Sequence, residues 1–211
     1  GWEAAAAGGA TDINGLSDAA TSGNNALYLG NDAGNGNTAA NTGVGQLCLT
    51  ALDGTVYGNV AVGQKAGQKI TSGLKNTCLG WKAGDEITTG PDNIIIGATA
   101  AGSLTTGNDN IVIGSDSAAE SLSTGDNNTI IGARAGTGST VATNSQCLIL
   151  GHNASPSSNS VVREITLGST NITSFRIPGV GFYNLNGNVG IGTAAPAVPL
   201  DVVGNIRSST G

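Results

Sequence analysis

The chain has 211 residues, of which 35 are glycine and none is methionine, and only 10% are charged. This composition argues against an ordinary α-helical protein, because glycine destabilises helix interiors and solvated helix faces carry more charge. The formal net charge of -6, with eight lysines and arginines, leaves no basic surface for nucleic acid, and no apolar run is long enough to insert into a membrane.

Residues 1–24 are rich in alanine, glycine and serine and contain few large apolar side chains. We expect them to form a leading segment or linker with little core. They have neither the basic start nor the apolar centre of a signal peptide.

Residues 25–168 carry an internal repeat, in which a glycine preceded by an aliphatic residue recurs nine times at spacings of 15–19 residues. The nine glycines are Gly30, Gly45, Gly63, Gly80, Gly97, Gly114, Gly132, Gly151 and Gly168. Asparagine stands four residues before the glycine at Asn41, Asn59, Asn76, Asn93, Asn110 and Asn128. Alanine stands three residues after it at Ala33, Ala66, Ala83, Ala100, Ala135 and Ala154.

Each unit combines a short β-branched run that ends in glycine, as in residues 93–97, with an earlier Thr-Thr-Gly break, as in residues 88–90. Such runs predict one or two short strands with tight corners. A unit of this length is too small for a domain but fits one coil of a solenoid. We therefore predict an all-β fold, a parallel β-solenoid or β-roll of about nine coils, in which the repeated asparagines and glycines stack.

The strand segments are apolar on both faces, as in residues 94–96 and 111–113, where neighbouring side chains must point in opposite directions. One face can line the coil interior. The other needs a second cover, and no helix is predicted to supply it. A symmetric copy of the chain is the natural cover, so we predict an obligate homo-oligomer.

Residues 169–211 lose the repeat, and residues 175–178 and 187–191 are predicted to form short strands. We expect this segment to close the oligomer or to lead to a C-terminal part that the sequence does not include. Aromatic residues near both ends are expected to cap the open solenoid or to pack in the trimer, namely Trp2, Phe175, Phe182 and Tyr183.

Two stretches resemble known proteins. The unit Thr-Thr-Gly-x-x-Asn-x-x-Ile-Gly-x-x-Ala-Gly resembles repeats of bacteriophage tail-fibre proteins, and it is also similar to the β-roll heads of trimeric autotransporter adhesins, whose units are usually shorter. Residues 186–206 resemble the segment that precedes the self-cleaving chaperone of phage tail fibres and tailspikes.

The resemblance implies a parallel homotrimer, located in the virion as part of a tail fibre, that attaches to the host. Its partners would be other tail proteins and a glycan or protein receptor on the bacterial surface, and no cofactor is implied. The alternatives are an adhesin head on the bacterial cell surface and a glycan-cleaving tailspike.

The residues themselves offer little for catalysis. The one histidine, His152, occupies a corner position that other units fill with Gln64 or Trp81, and the neighbouring acids Asp85 and Glu86 are not expected to flank one bond. We therefore expect no enzyme. The three cysteines, Cys48, Cys78 and Cys147, are expected to serve as small apolar residues.

Two surface features could bind ligands. Trp81, Lys82 and Tyr57 are candidate glycan contacts, because aromatic rings on outer corners can stack on sugars; the alternative is that they cover the next coil. The acids Asp92, Asp109 and Asp126 are spaced 17 residues apart and are expected to form one column. Such a column could admit Ca²⁺, but we expect a hydrated loop edge without metal.

Overall fold

A computed structural model gives the structure of the chain and describes residues 19–22, 26–29, 40–137, 143–158, 160–172, 189–191 and 200–202. The chain divides into two compact units, residues 1–172 and residues 173–211. All regular secondary structure in the described part is β. Within these ranges no helix is long and apolar enough to cross a membrane.

The described residues contain twelve short strands. The first unit holds β1 (Ala19–Ser22), β2 (Ala26–Leu29), β3 (Thr42–Val44), β4 (Val60–Val62), β5 (Thr77–Leu79), β6 (Ile94–Ile96), β7 (Ile111–Ile113), β8 (Thr129–Ile131), β9 (Leu148–Leu150) and β10 (Ile165–Leu167). The second unit holds β11 (Val189–Ile191) and β12 (Leu200–Val202), which pair in parallel.

The first ten strands form one sheet in chain order, in which β1 and β2 are antiparallel and all later pairs are parallel. Each strand pairs in register with the strand one coil earlier, as Ile94 with Ile111 and Ile95 with Val112. The eight strands β3–β10 therefore make a β-solenoid of about seven turns. The predicted parallel solenoid is confirmed; its first predicted glycine, Gly30, lies outside the described residues.

Each coil contributes one strand of three residues, and the Thr-Thr-Gly segments form bends rather than a second strand. The middle residue of each strand from β4 to β9 points inward and is buried: Ala61, Cys78, Ile95, Val112, Ile130 and Ile149. Two further buried columns belong to the core, one of Ala66, Ala83, Ala100, Ala118, Ala135 and Ala154, the other of Ile70, Ile87, Leu104 and Leu122.

The asparagine column forms a buried hydrogen-bonded ladder, as predicted. In each step the backbone N–H and the side-chain Nδ2 of one asparagine donate to Oδ1 of the preceding one, as from Asn93 to Asn76 at 3.0 Å each. Nδ2 of Asn93 also donates to the carbonyl of Gly107 on the next coil, at 2.9 Å. The ladder thus satisfies polar groups that the narrow interior would otherwise bury without partners.

Two columns require glycine because consecutive coils touch there by their backbones. A Cβ at Gly73 would lie 2.6 Å from the carbonyl oxygen of Gly90. At Gly80, where φ is +135°, a Cβ would lie 2.7 Å from the carbonyl oxygen of Gly97. A larger residue would push the coils apart at either position.

The three cysteines are buried and unpaired, in agreement with their predicted role as small apolar residues. Burial raises the pKa of the Cys78 thiol to about 12, so this group stays neutral in the core. The aromatic residues predicted to cap the solenoid, Trp2, Phe175, Phe182 and Tyr183, lie outside the described residues.

Candidate functional site

The corner that follows each strand points one side chain outward, directly after the repeated glycine. This corner column consists of Gln46, Gln64, Trp81, Ala98, Ser115, Ala133 and His152. Because the strands are in register, these side chains form one line along the solenoid.

Trp81 is the large aromatic residue of this corner column, and 49% of it is exposed. Its indole Nε1 donates to Oε1 of Gln64 at 3.2 Å, and Nε2 of Gln64 donates to Oε1 of Gln46 at 2.6 Å. The ammonium of Lys82 lies 5.2 Å from the centroid of the indole ring, within range of a cation–π contact. The ring is therefore held in place while much of its surface faces solvent.

The structure brings Trp81 and Lys82 together but places Tyr57 elsewhere. Tyr57, which is 48% exposed, precedes β4 by three residues, whereas Trp81 follows β5 by two. Since β4 and β5 are paired in parallel, the two aromatic residues lie at opposite ends of the sheet. They therefore cannot form one continuous aromatic surface along the corner column.

A one-residue insertion interrupts the corner of the coil that begins at Gly114. In the other coils from Gly63 to Gly151 the buried alanine follows the glycine by three residues, but Ala118 follows Gly114 by four. The residues at the insertion, Asp116 and Ser117, both have positive φ, at 53° and 64°.

The insertion changes the hydrogen bonds of the corner. In regular coils the second residue after the glycine donates its N–H to the corner residue of the preceding coil, as from Thr99 to Trp81 O at 2.8 Å. At the insertion Ser117 N instead donates to Oγ1 of Thr99 at 3.0 Å. The Thr99 hydroxyl donates in turn to Ala98 O at 2.7 Å, so a side chain fills the gap in the ladder.

A cleft of about 480 Å³ opens beside this insertion, and every residue that lines it is polar: Thr99, Asp116, Ser117, Glu120, Arg134 and Thr137. A second cleft of about 250 Å³ shares Thr99, Ser117 and Glu120 and continues to Lys82, Asp85, Glu86, Gly102 and Ser103. We call the two clefts together the corner cleft. It extends as far as Lys82, whose ammonium lies over the Trp81 ring.

Charges in the corner cleft are mixed. Glu86 forms an ion pair with Lys69, whose Nζ lies 2.6 Å from Oε2. Burial raises the pKa of the Asp85 carboxyl, and the neighbouring charge of Lys82 opposes the shift. The corner cleft is therefore lined by carboxylates, by the two cations Lys82 and Arg134, and by several hydroxyl groups.

The prediction that Asp92, Asp109 and Asp126 form one column is wrong for Asp126. Asp92 and Asp109 both precede their strands by two residues, but in the next coil that position is Asn127, because β7 pairs with β8 across 18 residues. Asp126 lies one position earlier and accepts hydrogen bonds from N and Nδ2 of Asn108, at 2.9 and 2.8 Å. Among the described residues no cluster of three or more metal-ligating side chains is found.

His152 lies at an exposed corner, where its sequence position predicted it. Its ring Nδ1 is 3.2 Å from Nδ2 of Asn153. No protein-family model, curated protein or solved structure matches the chain.

Proposed function

We propose that this chain is a non-catalytic segment of a phage tail fibre, which assembles as a parallel homotrimer, belongs to the virion and binds a receptor on the bacterial surface. The observation that carries the proposal is the outward face of the sheet. Along this face aliphatic side chains stack strand upon strand, and the chain itself leaves them open to solvent.

The outward face is formed by the first and third residues of each strand. Val62 and Ile94 are each 40% exposed and Ile131 is 38% exposed, although all three are large apolar residues. A continuous apolar strip of this kind is typical of an interaction surface rather than of a solvated one. From β3 to β9 the middle residue of each strand, on the opposite face, is buried.

Self-association fits this strip well. Because the strands repeat in register along one sheet, three copies related by an axis parallel to the solenoid would bring each aliphatic residue against its own equivalents. The Thr-Thr-Gly unit and residues 186–206 resemble phage fibre proteins, which supports three copies rather than two. Other tail proteins would hold the two ends of the trimer.

The role follows from this architecture. Stacked coils make a rigid spacer, and three identical copies would present three identical receptor sites. Individually weak contacts gain strength when they act together, so attachment would depend on the intact trimer.

The proposal is tested by measuring the binding of fluorescently labelled protein to a panel of bacterial strains. The double variant Ile94→Lys/Ile131→Lys places charge in the outward strip and should dissociate the chains. We expect its binding to fall by about 10²-fold, since avidity is lost. Thr106→Lys, an exposed substitution away from the sheet, should bind as wild type does. If the double variant keeps its mass and its binding, the proposal is wrong.

A further inference from the structure

Building on the proposed function, we infer that the corner cleft is the receptor site and that it binds a neutral, hydroxyl-rich bacterial glycan. The starting observation is that the cleft coincides with the insertion at Asp116 and Ser117. Regular corners are closed by backbone contacts between coils, as Thr99 N with Trp81 O, whereas the insertion puts a hydroxyl into the ladder.

The cleft offers groups that match sugar hydroxyls. Asp116 and Glu120 can accept hydrogen bonds, Arg134 can donate them, and the Ser117 hydroxyl can do both. The Thr137 hydroxyl, which donates to Arg134 O, can still accept. A pyranose ring presents vicinal hydroxyls that also donate and accept. A ligand with a large apolar surface would find no apolar side chain along the cleft.

The charges that line the corner cleft determine which polar ligands can bind there. The cleft has four carboxylates against two cations, namely Asp85, Glu86, Asp116 and Glu120 against Lys82 and Arg134. Even with Glu86 paired to Lys69, acids outnumber bases, so a polyanionic glycan would be repelled. A divalent cation is also disfavoured, because no three-ligand cluster exists among the described residues.

The cleft is long enough for more than one sugar. Its two parts share Thr99, Ser117 and Glu120, and the second part continues to Lys82. Since the Lys82 ammonium lies over the Trp81 ring, a chain of sugars that displaces the ammonium would reach an aromatic face. Lys82 thus links the cleft to the aromatic residue that the sequence indicated.

The test uses an array of purified bacterial polysaccharides, neutral and anionic, probed with the labelled full chain. Deleting Asp116 restores the regular corner spacing and should abolish binding. Arg134→Gln should weaken binding by about ten-fold, equivalent to about 1.4 kcal/mol. Arg163→Gln, an exposed arginine that bonds Gln146 outside the cleft, is the matched control and should bind as wild type does.

Glu120→Gln keeps the site testable if the deletion prevents folding, and it should weaken binding as Arg134→Gln does. The inference is overturned if these variants bind within about two-fold of wild type, or if wild type binds only anionic polysaccharides or none on the array. None of these changes touches the outward strip. A cleft variant that stays trimeric and still binds cells would therefore refute only the assignment of the receptor site to the corner cleft. A monomeric wild type would refute the proposed function.

Discussion

The coils from β5 to β7 and the coils after Gly114 are built on the same repeat but differ in regularity. From β5 to β7 the strands follow one another at 17 residues, and the inward residue of each strand is apolar and buried. After Gly114 the paired strands are 18, then 19 and then 17 residues apart. The regular coils carry an unbroken asparagine ladder, whereas the later coils carry the corner cleft, and the ladder ends there at Asn128.

The end of the ladder shows this loss directly. In the next coil, Cys147 occupies the position of the asparagine column that follows Asn128. Its Sγ lies 3.4 Å from Ser145 O and 3.6 Å from Val161 O. Asn93 bonds the equivalent carbonyls with its amide nitrogen at 3.0 and 2.9 Å. A thiol is a weaker donor than an amide, so the later coils are held together less firmly.

Breaking the ladder in a regular coil should have the largest effect. Asn93→Ala removes the acceptor of Asn110 N and Nδ2 and a donor to Gly107 O. We expect a loss of about 3 kcal/mol or more, because each buried polar group without a partner costs about 1–3 kcal/mol. Urea denaturation measures the loss, with the exposed Thr106→Ala as control. A loss no greater than that of the control would show that the ladder does not hold the coils.

A substitution that adds a side chain in a glycine column should have the second largest effect on stability. Gly73→Ala forces a Cβ against the backbone of the next coil and should destabilise the fold by about 1–3 kcal/mol. Gly54 has no atom within 4 Å of the corresponding position, so Gly54→Ala should be nearly neutral. Thermal unfolding of the two variants measures the difference. Equal midpoints would mean that the coils are not in contact at Gly73.

Repairing the irregular end should have the smallest effect and the opposite sign. Cys147→Asn extends the ladder by one step and should stabilise the protein by about 1 kcal/mol, the net value of a typical hydrogen bond. Cys78→Asn is the matched control, because it buries an amide in the apolar column and should destabilise. If Cys147→Asn lowers the unfolding midpoint, then this site is not an unfinished ladder position.

The same contrast explains what the sequence could predict. Asn76, Asn93 and Asn110 recur because an asparagine side chain can accept from one coil and donate to another along the buried ladder, so their positions predicted the coils. The corner cleft was missed because an 18-residue spacing between strands does not say where the extra residue lies. The structure locates that residue, since the buried alanine follows its glycine by three residues at Ala100 but by four at Ala118. Asp126 was misplaced for the same reason, since counting by 17 crosses the insertion.

The exposure of the outward strip could be anticipated, because strand residues alternate between two faces and both faces are apolar. The separation of Tyr57 from Trp81 could also be predicted, because Tyr57 stands two residues before the repeated Asn59 whereas Trp81 stands directly after the repeated Gly80. The parallel pairing of β4 and β5 places these two positions at opposite ends of the sheet.

The mass of the chain in solution tests the proposed trimer most directly. Sedimentation equilibrium of the full chain should give about three times the chain mass of 20.5 kDa, unchanged on dilution, because the outward strip is buried only between copies. A single species of 20.5 kDa at all concentrations would contradict the trimer, and the exposed isoleucines of β6 and β8 would then need another explanation.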